Sequence, residues 1–280
     1  MEVSIIIVNY NTQQLTCACI DSIIAKITGI DYEIILVDNA STDGSQEHFC
    51  RDERIKFIEA GRNLGFGKAN NLGVNQANGD YLFFLNSDTL LLNNAIYEMC
   101  ILCDGNNQRC HSYAKLNTWK DIVKSYFLAP YSKTKAKEIM AMDAEDESKD
   151  AFEVGYVTGA DLFVSRKVID ECGCFDPDFF MYSEESEMQW RFKKHGYKNM
   201  IIKSPKIMHL EGMSQAKKKS PTMKKIIMTQ SSLYLYVKKT SSSFQYTMFR
   251  FLFPLTRLPF LLLSRRPICE KIEYIGMILR

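Results

Sequence analysis

The chain has 280 residues, 46% of them hydrophobic, enough to bury the core of one large domain or of one domain with an appendage. Its 35 basic and 33 acidic residues leave a net charge of +2, which excludes the strong uniform field that would demand nucleic acid as a partner. The charge is uneven, however: 143–150 (DAEDESKD) is acidic, whereas 215–225 (QAKKKSPTMKK) and 264–271 (SRRPICEK) are basic.

MEVSIIIV enters a strand with no basic leader and no long apolar region, so no export signal is expected. No run of 18 uninterrupted apolar residues occurs, so a spanning helix is not expected either. The expected compartment is the cytoplasm, and the odd set of nine cysteines reads as reduced thiols. Cys17 with Cys19, and Cys172 with Cys174, do not make a zinc site without further partners.

SIIIVNY (4–10) is a continuous apolar run, as in a strand buried on both faces. A helix follows near 12–27, then a second buried strand at 32–40 (YEIILVDNA). A helix starts in 42–49, where Ser41 or Thr42 can cap it. IKFIEA (55–60) reads as a third strand, 66–77 as a helix and DYLFFLN (80–86) as a fourth strand. This alternation predicts an α/β fold with a doubly wound, mostly parallel sheet and helices on both faces. Residues 104–150 read as an irregular surface loop, 154–166 as strand, 183–196 (SEESEMQWRFKKHG) as a helix with acids first and bases last, and 200–212 as a strand pair. Beyond 215 the chain reads as basic and aromatic helices.

Ligands of such sheets bind outside the carboxyl ends of the strands. Strand one ends at Asn9-Tyr10-Asn11, strand two at Asp38-Asn39 and strand four at Asn86-Ser87-Asp88. An apolar strand that finishes on a carboxylate, LFFLNSDT (82–89), is thereby read as the floor of a site.

SIIIVNYN, EIILVDNASTDGS, NLGFGKANNLGVNQANGDYLFFLNSDT, TGADLFVSRKVIDECGCFDPDFFMYSEESEMQWRFKKHGYK and IMHLEGMS together resemble family 2 glycosyltransferases of GT-A fold, in particular a rhamnosyltransferase-like branch, over about residues 1–215. The resemblance implies inverting transfer of a sugar from a nucleotide-diphosphate donor. It matches Asp38 to a nucleoside-binding residue and Asp88 to the last acid of a DxD-type motif that holds Mg2+ or Mn2+. It matches Glu184-Glu185 to an acidic pair whose second member is the base, and His209 to a histidine near metal and diphosphate. Two departures stand out: Asn86 replaces the first acid of DxD, and the usual Glu-Asp pair is Glu-Glu.

Physical chemistry leaves alternatives beside these roles. Asp88 can also cap a helix over TLLLNNAIYEM, and Asp38 can be a turn residue. Asn9, Asn11, Asn63, Phe66, Asn70 and Asn86 join Asp38 as candidate donor-binding residues, although Phe66 can equally fasten its helix to the sheet. The two glycines near Phe66 permit close backbone approach, and Lys68 can meet a phosphate or water. Acids at a helix start suit the dipole without any chemistry, but an inverting displacement needs one base for the acceptor hydroxyl, here Glu185, with Glu184 beside it. Trp190 reads as core or sugar platform. Arg191 reaches either the diphosphate or a structural acid. A lone histidine such as His209 is as readily structural as metal-bound.

The expected organisation is a catalytic domain over 1–215 and a basic, aromatic extension over 216–280. The extension suits peripheral contact with an anionic membrane, hence an acceptor carried on a lipid diphosphate; the competing reading packs it on the catalytic domain, in a homodimer. The expected function is transfer from a nucleotide sugar, dTDP-rhamnose or a UDP-sugar, to a glycan acceptor of a bacterial surface polysaccharide. The rivals are a non-catalytic nucleotide-sugar binder and a nucleotidyltransferase; NYNTQQL lacks the Gly-rich basic loop of the latter.

Overall fold

The computed structural model describes residues 1–103, 113–140, 150–210 and 222–279, without the side chains at 100–103, 140 and 279. The acidic run except Asp150, His111, the first basic run up to 221 and the residues 211–214 after His209 lie outside the described residues.

The chain begins with β1 (Val3–Asn9), α1 (Gln13–Lys26), β2 (Tyr32–Asp38), α2 (Ser45–Phe49), β3 (Lys56–Glu59), α3 (Phe66–Val74) and β4 (Tyr81–Asn86). It continues through β5 (Thr89–Leu91), α4 (Ala95–Cys103), β6 (Tyr113–Ala114), α5 (Trp119–Leu128) and α6 (Lys133–Met140). Then come β7 (Ala151–Val154), β8 (Tyr156–Val157), β9 (Asp161–Ser165), α7 (Arg166–Cys172), α8 (Glu184–Lys194), β10 (Asn199–Ile202) and β11 (Ile207–His209). The tail forms α9 (Met223–Thr240), α10 (Ser243–Leu263) and α11 (Ile268–Leu279).

The central sheet has the order β3-β2-β1-β4-β9. Its first four strands are parallel, and β9 joins β4 antiparallel. Strand periodicity of two sorts the apolar runs onto both faces. Ile5, Ile7, Leu36, Phe83 and Leu85 pack on one side with Ile20 and Ile23 of α1 and Ile96 of α4. Ile6, Ile35, Leu82 and Phe84 pack on the other with Phe175 and with Met188 and Phe192 of α8. Two covered faces explain why these strands are apolar throughout rather than alternating, and each fully buried Ile, Leu or Phe contributes about 1.5–3 kcal/mol. The register sets Asn9 opposite Asp38 and Val8 opposite Asn86, so the polar strand ends form one row at the carboxyl edge.

Several local expectations are corrected. The residues after Asp88 form β5, not a helix, so Asp88 caps nothing. α2 starts behind Gly44, leaving Ser41 and Thr42 outside it as well. The described part of the 104–150 segment carries α5 and α6, and α5 starts with a capping box of Thr118 and Asp121. The 200–212 strands do not pair with each other: β10 pairs with β7 and β11 with β5. α3 ends at Val74.

A third core joins Ile122 of α5 and Phe179 of the turn before α8 to Tyr234 and Val237 of α9 and Phe249 and Phe253 of α10. The C-terminal helices thus share buried surface with the middle of the chain. Cys100 and Cys103 have the CxxC spacing, and their side chains lie outside the description; Cys17, Cys19, Cys50, Cys172, Cys174 and Cys269 are free thiols.

Candidate active site at the carboxyl edge of the sheet

The edge is knitted by short polar side chains. Asn9, fully buried, donates from Nδ2 to Asp38 Oδ1 at 2.7 Å and to Ser41 Oγ at 3.0 Å. Its Oδ1 accepts from Thr12 and Thr16, each at 2.8 Å, and Thr12 Oγ1 lies 3.1 Å from Ser87 Oγ. One web therefore ties the ends of β1, β2 and β4. Asp38 is itself fully buried, and its Oδ2 accepts from Ser41 N at 2.9 Å and Gln46 Nε2 at 3.1 Å. Asn11, with a left-handed φ of 55°, accepts from Thr42 N at 2.7 Å and pins the loop after β2 to the loop after β1.

Asn39 extends this scaffold to the next loop. It donates to Asn63 Oδ1 at 3.1 Å and accepts from Leu64 N at 2.8 Å. Gly65 then turns with φ 82°, and a Cβ there would stand 2.0 Å from the Phe180 carbonyl oxygen, so only glycine fits. Phe66 N donates to that same carbonyl at 3.0 Å, and the Phe66 ring sits edge-on to Phe175 at 5.7 Å. Asn70 is buried, and its amide donates to the Phe66 carbonyl at 3.1 Å.

β11 brings His209 opposite Thr89 of β5. His209 Nε2 lies 3.1 Å from Asp88 Oδ1 and 3.5 Å from Asn86 Nδ2, so residues more than a hundred positions apart converge. Two ligands on adjacent vertices of an octahedral Mg2+ site lie roughly 3 Å apart, given bonds near 2.1 Å. The separation of Asp88 and His209 fits a shared divalent cation. Among the described residues no group of three or more His, Cys, Asp or Glu could hold a metal ion. The remaining positions would fall to donor phosphate oxygens and water, which suits Mg2+-type ions that take one or two carboxylates from the protein.

The acidic pair opens α8 behind an unusual turn. Tyr182 and Ser183 both have left-handed backbone, with φ 74° and 66°. Such non-glycine conformations cost on the order of 1–3 kcal/mol each and persist only where the surroundings enforce them. They aim Glu184 inward, close to Gly67, where it is 3% exposed and its Oε2 has no hydrogen-bond partner. Burial first, and the Glu185 charge second, push the Glu184 carboxyl up to about 8. Glu185 is half-buried, and burial also raises its carboxyl.

Glu185 faces the 158–160 turn and Tyr156. A Cβ on Gly159 would lie 3.9 Å from Glu185 Cβ and 3.1 Å from the Phe66 ring. The same turn is held to β4 by Asn86 N donating to Ala160 O at 2.8 Å. Burial first, and the Glu185 charge second, raise the Tyr156 phenol, which hydrogen-bonds the Ser186 side chain. A cleft of about 80 Å3 opens there, lined by Asn117, Tyr156, Ser183, Ser186, Leu233 and Tyr236 among others. Asn117 Oδ1, on the cleft lining, and Thr158 Oγ1, two residues after Tyr156, are buried without hydrogen-bond partners.

Arg191 is corrected to the structural alternative. Its Nε bonds both carboxylate oxygens of buried Glu187 at 3.0 and 3.1 Å. Its other nitrogens donate to the carbonyls of Cys172, Gly173 and Cys174, leaving no face for a diphosphate. Trp190 is half-buried under Lys194, whose Nζ lies 5.4 Å from the ring centroid, and Lys68 is exposed. The sequence reading passed over Thr12, Ser41 and Ser87, which complete the polar web, and Tyr156 and Gln189. Gln189 exchanges hydrogen bonds with the backbone of Val157 at 2.7 and 2.6 Å, fixing α8 against β8.

The family model for glycosyl transferase family 2 matches residues 4–108. A low-salt glycan biosynthesis hexosyltransferase of Haloferax volcanii is 26% identical over 198 residues, 69% of this chain and 62% of that protein. The glycosyltransferase GlyG of Streptococcus pneumoniae is 33% identical over 98 residues, 34% of this chain and 32% of that protein. The matches thus span less than two thirds of these relatives. Among solved structures, GalNAc-T7 with UDP, GalNAc and Mn2+ superposes with a TM-score of 0.63 at 16% identity, covering 99% of this chain and 55% of that one. The mannosyltransferase of Pyrobaculum calidifontis with GDP-Man and Mn2+ gives a TM-score of 0.56 at 16% identity, covering 98% and 79%. The chain therefore has the GT-A fold, and its residues 4–108 match the model of glycosyl transferase family 2.

Proposed function

We propose that this chain transfers a hexose from a nucleoside-diphosphate donor to a hydroxyl group of a glycan, with inversion, in assembly of a surface polysaccharide at the cytoplasmic side of the membrane. The observation that most supports the reading is the placement of Asp88, Asn86 and His209 at one end of the 158–160 turn while Glu185 packs against its middle. That turn sets two chemistries side by side: a seat for a diphosphate leaving group and a carboxylate for the attacking hydroxyl.

Asp88 and His209 would hold Mg2+ or Mn2+, which neutralises the charge that builds on a diphosphate as the glycosidic bond breaks. Asp38, ordered by Asn9 and Ser41, receives the nucleoside, and the loop of Asn63 and Phe66 closes over it; Gln46 is the donor that a ribose hydroxyl would replace on Asp38. Glu185 takes the proton of the acceptor hydroxyl, its raised pKa bringing it nearer to that of an effective base at neutral pH. Glu184, enclosed and protonated at neutral pH, spares the pair a second charge beside Glu185. α9, with Leu233 and Tyr236, and α5, with Ile122, wall the acceptor cleft. The two solved neighbours hold UDP with GalNAc and GDP-Man, and dTDP-rhamnose and UDP-sugars are the donors proposed here.

The test is nucleoside diphosphate release from a panel of UDP-, dTDP- and GDP-sugars, with Mn2+, Mg2+ or chelator. One donor should turn over, only with metal. Glu185→Gln should lower turnover about 10²–10⁴-fold while leaving donor affinity within a factor of about two by calorimetry. Unchanged turnover in Glu185→Gln would remove the base assignment, and nucleotide binding without turnover for any donor and acceptor would favour a non-catalytic binder.

A further inference from the structure

α10 presents an apolar stripe to solvent. Phe244, Phe251, Leu255 and Leu262 recur at intervals of seven, four and seven residues, which places them on one face of the helix. Phe251 is 70% exposed, Leu255 67%, and Leu263, in the helix's last turn, 86%. The opposite face is spent on the protein: Phe249, Phe253 and Thr256 are buried. An exposed stripe of this size on a helix face that no described residue covers is a signature of an interaction surface.

The charge around it selects the partner. The chain has 33 Asp and Glu in 280 residues, yet none lies between 212 and 269. Over the same stretch it carries basic residues throughout, among them exposed Lys224 and Lys238 on α9 and exposed Arg265 just past the stripe. A protein partner would be met by charges of both signs; an apolar face within an acid-free, basic region is complementary to an anionic lipid surface, with the rings and leucines in the acyl boundary and the cations at the phosphates. Among the described residues no helix is long and apolar enough to cross a membrane, so the helix would lie on the surface rather than span it.

We infer that α10 docks this chain onto an anionic bilayer surface through Phe244, Phe251, Leu255 and Leu262. The surface lies in the same helical layer that walls the acceptor cleft, since α9 supplies Leu233 and Tyr236 to that cleft and packs with α10 in one core. Docking would hold the cleft beside the lipid phase.

The readout is independent of turnover. The full chain is sedimented with vesicles of phosphatidylcholine alone and of phosphatidylcholine mixed with phosphatidylglycerol, at low and high salt, with sedimentation velocity on the lipid-free protein. The wild type should bind only the anionic vesicles and come off in high salt. Phe251→Asp with Leu255→Asp should weaken that binding at least about tenfold, since both side chains lose their place in the acyl boundary. Arg265→Ser, a milder exposed change, should weaken it about fivefold, the ~1 kcal/mol of one surface cation. Melting curves check that each variant is folded. Absence of binding to anionic vesicles, or binding unmoved by the substitutions in folded protein, would overturn the inference. So would a dimer that Phe251→Asp with Leu255→Asp splits while vesicle binding stays, because the face would then belong to a second copy.

Discussion

Two adjacent glutamates of the same type are set apart by their surroundings. Glu184 is enclosed beside Gly67 with an unpartnered oxygen, whereas Glu185 is half-buried and packs toward Gly159. The Glu184 carboxyl is raised from 4.5 to about 8, so between those values the folded chain keeps a proton that the unfolded chain has released. That contribution to stability is fully present below pH 4.5 and is lost as pH rises through about 8. The wild type should therefore melt lower at about pH 9 than at about pH 5, by roughly 4–8 °C if some 2 kcal/mol is realised at 2–4 °C per kcal/mol. Glu184→Gln, neutral at both values, should show a flatter dependence and gain most over the wild type at high pH. Equal slopes in calorimetric scans of the two proteins would mean that the buried carboxyl ionises without penalty.

Elements hold these residues through contacts that differ in how well the sequence announces them. The strand ends were legible, because a doubly buried strand must be apolar and its first polar residues, Asn9, Asp38 and Asn86, mark where it leaves the core. The meeting of Asp88 and His209 came from the resemblance; spacing alone could not place β11 against β5. Of the two partners open to Arg191, the diphosphate and a structural acid, the structure selects the acid, and Glu187, four residues earlier, is a helix-pair partner readable from sequence. The left-handed pair Tyr182-Ser183 had no signal, since neither residue type favours that backbone. The turn before α8 is instead held from outside. Lys239 of α9 bonds Asp176 and Asp178 at 2.5 and 2.8 Å, Ser232 donates to Met181 O at 2.7 Å, and Phe179 is buried against α9 and α10. Asp178 and part of the Lys239 side chain face solvent, so removing the clamp should cost only about 1 kcal/mol of stability. Its larger effect should be on geometry: Lys239→Met is expected to lower kcat roughly tenfold with little change in donor KM, and Lys239→Arg to restore most of it. A loss confined to melting temperature, with kcat intact, would make the clamp purely structural.

At the scale of the molecule, the boundary expected at 215 marks a change of composition but also cuts across a core. The strand-rich part of the chain has two apolar clusters of its own on the faces of the central sheet. The third takes Ile122 from α5 and Phe179 from the turn that leads into Glu184, and covers them with Tyr234, Val237, Phe249 and Phe253. A chain ending at 215 would open that cluster to water beside the acidic pair and would lose Lys239 and Ser232 from the turn. Uncovering two large apolar side chains removes on the order of 3–6 kcal/mol, a large part of the 5–15 kcal/mol that a domain commonly has. The full chain is therefore expected to melt in one calorimetric transition, with the sheet and the helical layer unfolding together. The 1–215 fragment should be markedly less stable, and its backbone amides around 176–187 should exchange hydrogen fastest relative to the full chain. Two separate transitions, with a fragment whose melting temperature and amide protection match the intact protein's first, would show that the helical layer is an independent appendage and that the turn before α8 keeps its left-handed shape without it.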